Sequence, residues 1–136
     1  MTPAATASLL LQSARIAAPP VLLRPLVRAC PMPVRLGTKA LSTPACSFWC
    51  GDELHILVRE ADPWERRRFS AAHELAHHIG GGMSDERAAN ALAAALLMPA
   101  EWVRAELRYY RTLRGLAERF KVSATAMRVR LGELGL

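Results

Sequence analysis

His73 and His77 stand four residues apart, and that spacing brings two imidazoles to one face only if the chain around them, residues 69–79, is a single helix. The other positions suit a packed helix, since Phe69, Ala72, Leu75, Ala76 and Ile79 are apolar. Seating two imidazoles and the carboxylate of Glu74 on such a helix costs desolvation unless something satisfies them. The five residues 73–77 spell HExxH, in which both imidazoles reach one zinc ion and the glutamate projects toward the metal's water. The implied chemistry is metal-assisted hydrolysis. Three fixed positions also recur by chance, in which case the histidines bond locally and Glu74 is merely solvated.

A hydrolytic zinc site keeps three protein ligands and one open position, so a third ligand should follow within reach. Asp85 and Glu86 open a second helical stretch, 84–98, behind a Gly80-Gly81-Gly82 turn that lets the chain fold back beside the first helix. Ser84 suits the N-cap, and acids in a first turn suit the helix dipole, which accounts for both carboxylates without a metal. Glu86 is the better ligand. It stands four residues before Asn90, whose amide then lies one turn along and can support a ligand from behind. Asp85 points about 100° away on a shorter side chain. The connection from His77 to Glu86 is short, so the site depends on that turn delivering Glu86.

Two blocks in order, RRRFSAAHELAH at 66–77 and ERAANALAAALLMP at 86–99, resemble the ImmA/IrrE-type zinc metallopeptidases, HExxH proteins often found beside repressor genes in bacteria and phages. The ordered pair is far more specific than HExxH alone. The resemblance extends weakly to Pro19-Pro20-Val21 upstream and to residues 116–136 downstream. It implies His73, His77 and Glu86 as zinc ligands and Glu74 as general base and acid. It also implies a helix-turn-helix repressor of the XRE type as substrate, cut at one site in the cytoplasm to switch stress, mobile-element or toxin-antitoxin genes. Relatives often carry a second acid two residues before the Asn, where this chain has Ala88. Manganese or iron could occupy the same two-histidine, one-carboxylate set. Candidates for contacting the substrate or its oxyanion are Arg68, His78, Tyr109 and Tyr110, with His78 pointing off the ligand face.

The chain has 136 residues, 51% of them hydrophobic, which suffices for one core and one domain over 1–136. Its parts are N-terminal helices at 1–33, sheet and zinc-site helices at 34–100, and a C-terminal helical lobe at 101–136. No apolar run reaches the roughly 18–20 residues that span a bilayer. The apolar stretch 4–11 has no cation before it and lacks a secretory n-region. Residues 1–51 contain Arg and Lys but no acid, which superficially suits a transit peptide, although they also read as helix and strand. Cys30, Cys46 and Cys50 cannot pair completely and read as buried thiols in a reducing compartment.

The pattern predicts an α+β fold, a small antiparallel sheet packed on the HExxH helix with a helical C-terminal lobe. Helices are expected at 4–17 and 21–29, and strands at 34–36, 46–50 and 53–59, the last two joined at Gly51-Asp52. An edge strand before the active helix could hold an extended peptide. His55 in it reads as a surface residue. Residues 101–136 read as two or three helices, with Ser123 as an N-cap inside a helix-turn-helix-like run that carries Arg128 and Arg130. The formal charge of +6 favours phosphate or an acidic partner without choosing between them. Two other functions therefore stand beside the peptidase: a non-catalytic anti-repressor or antitoxin-like partner with a structural zinc, and a DNA-binding regulator. The basic run 66–68 reads as a solvated approach to the active helix.

Overall fold

A computed structural model of the chain describes residues 1–79 and 85–136; the Gly80-Gly81-Gly82 turn and Ser84 lie outside the described residues. The architecture is α+β. Helices α1 (Pro3–Ser13) and α2 (Leu23–Arg28) precede strands β1 (Val34–Lys39), β2 (Ala45–Cys50) and β3 (Glu53–Arg59). Helices α3 (Trp64–Ile79), α4 (Glu86–Leu97), α5 (Ala100–Glu106), α6 (Leu113–Phe120) and α7 (Ala124–Glu133) follow. No helix among the described residues is long and apolar enough to cross a membrane.

The first helix ends earlier than its apolar run suggests. Arg15 turns left-handed at φ 57, and the amides of Arg15 and Ile16 bond back to the carbonyls of Gln12 and Leu11. That closes α1 in a Schellman motif well before the prolines. In α2, Pro25 is tolerated because it sits in the first turn, where amides have no helical partner anyway.

The sheet order is β1-β3-β2, and only β2 and β3 are antiparallel. β1 runs parallel to β3, so the expected antiparallel sheet is in fact mixed. The cause is the connection 40–44, which crosses the end of β3 and leaves room for that strand between its two neighbours. It is held there by Glu60 N–H to the Lys39 carbonyl, Arg59 N–H to Pro44, and the Arg59 guanidinium to Ser42. The strand leading into α3 is consequently central, and β2 and β1 are the edges. β3 earns the middle place by its alternation: Leu54, Ile56 and Val58 are buried toward the helices. The hairpin turns where expected, at Gly51, with φ 65.

Over the inner sheet face lies α3, burying Ala71, Ala72, Leu75 and Ala76. Beside it runs α4, whose Leu92 to Leu97 stretch is buried throughout. One continuous apolar cluster links these with Leu26, Val103, Leu116, Phe120 and Met127. Each fully buried Leu or Phe in it is worth about 1.5–3 kcal/mol of transfer free energy. Asp85 is the N-cap of α4, one residue later than the expected Ser84, and its carboxylate accepts from the amides of Arg87 and Ala88. Ser123 caps α7 through the amide of Ala126, as its position predicts.

Candidate metal centre

The i, i+4 spacing on α3 sets His73 and His77 one turn apart on the face that looks toward the start of α4, whose first residue is Glu86. The Nε2 atoms of the two imidazoles are 3.2 Å apart. Glu86 lies 3.0 Å from His73 Nε2 through Oε2 and 2.8 Å from His77 Nε2 through Oε1. One ligand atom from each of these residues falls within 4.8 Å of the others. The short connection therefore does deliver Glu86.

The chemistry of this donor set fits a metal. Two imidazoles that both donate to one carboxylate would hold their N–H groups head to head, whereas lone pairs converging on a cation are favourable. Zinc ligands at about 2.0–2.2 Å in a tetrahedron stand roughly 3.3 Å from one another, close to the separations found here. The imidazoles are nearly covered, with 17% and 12% of their side-chain surface exposed, while Glu86 is 72% exposed. The trio thus has a covered side and an open side. Asp85, the rejected carboxylate, is occupied in capping.

Glu74 sits on the sheet side of the trio. Its Oε2 accepts a hydrogen bond of 2.8 Å from the hydroxyl of Ser47 on β2. The same hydroxyl is 3.0 Å from Nε2 of His78. Trp49 meets the His78 ring edge-on at 5.7 Å between centroids. Burial pulls the His78 pKa below the usual imidazole range, against the raising effect of Glu74 and with a smaller lowering effect of His77. Ser47 escapes a motif search because it reaches Glu74 across 27 residues. Its one sequence signal is that strand alternation sets it on the same inner row as Ala45 and Trp49.

Other candidates lie elsewhere. Arg68 is no substrate contact: it is 4% exposed and donates to the carbonyls of Lys121, Val21 and Phe120, with Trp64 stacked 5.2 Å from its guanidinium carbon. Burial lowers its pKa to about 10, partly offset by Glu65, so it keeps its charge at neutral pH. Tyr109 is 77% exposed beyond α5, and Tyr110 packs on the core near Gly115; neither lines the cleft over the metal trio. Asn90 does line that cleft, exposed one turn beyond Glu86, and among the described residues no hydrogen bond ties it to the trio. His55 lies on the outer sheet face, stacked on Phe48 and paired with Glu53 at 3.0 Å. Cys30 and Cys46 are half-buried, but Cys50 is exposed, contrary to its reading as a buried thiol.

The cleft has a volume of about 1100 Å³ and runs from His73, Glu74 and Glu86 past Phe69 to Thr125 and Val129 of α7. The second helix of the helix-turn-helix-like pair is therefore one of its walls. Arg130 of that helix is tied down, donating to the Met98 carbonyl at 2.9 Å and pairing with Glu133 at 3.8 Å. Its pKa is lowered, chiefly by burial. Arg128 is exposed.

A sequence-family model described as Peptidase_M78, IrrE N-terminal-like domain, matches residues 42–132, from the loop before β2 to the last turn of α7. No curated protein matches the chain. The matched stretch contains every residue of the trio, Glu74, Ser47 and all but the last residue of α7, which walls the cleft.

Proposed function

The chain belongs to peptidase family M78, and from that premise we propose that it is a zinc-dependent endopeptidase making a site-specific cut in a helix-turn-helix (XRE-type) repressor. The observation that carries the proposal is the convergence of His73, His77 and Glu86 beside Glu74, at the mouth of a cleft large enough for a polypeptide segment.

His73, His77 and Glu86 would hold the ion. Zinc, when bound, supplies Lewis acidity that polarises a carbonyl and acidifies water. Glu74 takes a proton from the attacking water on its free carboxylate oxygen and later returns it to the leaving nitrogen. Among the described residues the outer edge of β2, next to Glu74, has no strand paired to it; it can take an extended stretch of substrate, and α7 faces that stretch across the cleft. A repressor must present such a stretch by docking as a folded partner, since a three-stranded sheet and one cleft give few subsites. The placement of α7 also argues against DNA reading. One of its two candidate phosphate-binding arginines, Arg130, is committed to Met98 and Glu133.

The test is metal content by elemental analysis of protein purified without chelator, followed by incubation with a repressor encoded beside the gene. One zinc per wild-type chain, lost in Glu86→Ala, supports the trio. Retention of zinc and of repressor binding in Glu74→Gln, with cleavage abolished, supports the peptidase. A wild-type chain that takes up no metal after zinc is added back overturns it in favour of a non-catalytic partner.

A further inference from the structure

We propose that Ser47 and His78 form a positioning clamp on Glu74, in which His78 Nε2–H donates to Ser47 Oγ and the Ser47 hydroxyl donates to Glu74 Oε2. The inference rests on the peptidase reading only for its kinetic consequence; the clamp itself stands on the geometry. A serine hydroxyl carries one proton, and Ser47 directs it to Glu74 at 2.8 Å. The 3.0 Å contact with His78 can then be a hydrogen bond only if the imidazole nitrogen is the donor. This fixes the tautomer of a neutral His78 and aims the Ser47 hydroxyl.

The four participating residues come from one strand–helix seam. Ser47 and Trp49 are two apart on β2, and Glu74 and His78 are four apart on α3. Both spacings keep a pair on one face, so strand and helix meet in two matched contacts: Ser47 with Glu74, and Trp49 with His78. A glutamate side chain is otherwise free in several torsions and gives up rotamer freedom when ordered. Held through Oε2, Glu74 keeps Oε1 for the reacting water. Ser47 and His78 touch neither substrate nor metal in this scheme and act only through Glu74.

Two readouts separate the clamp from the peptidase reading. In the zinc-loaded protein, nitrogen-15 NMR of the histidines should find His78 protonated at Nε2, with that proton slow to exchange in the wild type and fast in Ser47→Ala. Against the repressor encoded beside the gene, Ser47→Ala should lose about 10–100-fold in kcat, the range that follows loss of groups supporting a site residue, with KM and zinc content unchanged. Ser47→Thr, which keeps the hydroxyl and suits a strand, should restore most of the rate. His78→Phe, which keeps a ring against Trp49 but has no donor, should fall between. His78 protonated at Nδ1 instead of Nε2, or an unchanged kcat in Ser47→Ala, overturns the clamp. A zinc-loaded wild type that leaves the repressor uncut counts against the peptidase reading, while the NMR result still decides the clamp.

Discussion

The two halves of α3 handle ionisable groups in opposite ways. In the first half Arg68 is driven inside, yet its guanidinium is satisfied by the chain's own carbonyls from residues 21, 120 and 121 and by Trp64. In the second half His73, His77 and, from α4, Glu86 converge on one another near the surface. A buried charge answered by the backbone is a rivet. Ligand-type donors brought within 4.8 Å of one another mark a place for something from outside. One helix thus fastens the C-terminal pair to the body at one end and brings candidate metal ligands together at the other.

The sharpest way to break this comparison is Arg68→Met. It leaves buried carbonyls unpaired, each costing about 1–3 kcal/mol, and should lower the free energy of unfolding by roughly 3 kcal/mol in urea titrations. Zinc per folded chain should stay unchanged. Glu86→Ala should do the reverse. It should weaken zinc by more than the roughly 10–100-fold typical of a lost supporting group, by competition with a chelator, while the metal-free protein melts close to wild type. Asp85→Ala and Ser123→Ala each remove an N-cap and should each cost about 1 kcal/mol. Only the first should also loosen zinc, because Glu86 is the first residue of the helix Asp85 caps. The smallest effect is expected at Cys30, a titratable group silenced by burial, which pushes its thiol up to about 11 from 9.0. Unfolded chains ionise this thiol first, so its contribution to stability is intact below about pH 9 and is lost as pH rises toward 11. Cys30→Ala should flatten that alkaline decline in thermal melts.

Where the geometry of the candidate site depends on local spacing, the sequence was legible. His73 and His77 need only a helix, Glu86 needs only an antiparallel neighbour, and Ser123 caps α7 from its own first turn. The hairpin at Gly51 was equally local. Strand direction was not, because the crossing of β3 by residues 40–44 decides it. Arg68 shows a signal present but outweighed by residue type. It stands four residues before Ala72 and seven before Leu75, on the buried face, and only its charge suggested a place at the substrate. Ser47 could not be found from motifs, since its partners sit 27 and 31 residues away.

The middle strand of the sheet is also the last of the three to be synthesised. As the chain emerges from a ribosome, β1 and β2 come out first, and the edges they will offer β3 have nothing to bond. At ordinary elongation rates the wait from residue 50 to residue 59 lasts roughly a second. During it, Phe48 and Trp49 lie on an unpaired strand, and a neighbouring nascent chain offers the same sequence. The arrival of β3 ends the exposure on both sides at once, and α3 follows directly. Sheet and α3 can therefore pack together once β3 is present, and the interval before it is when both edges stand open to pairing with other copies of the chain.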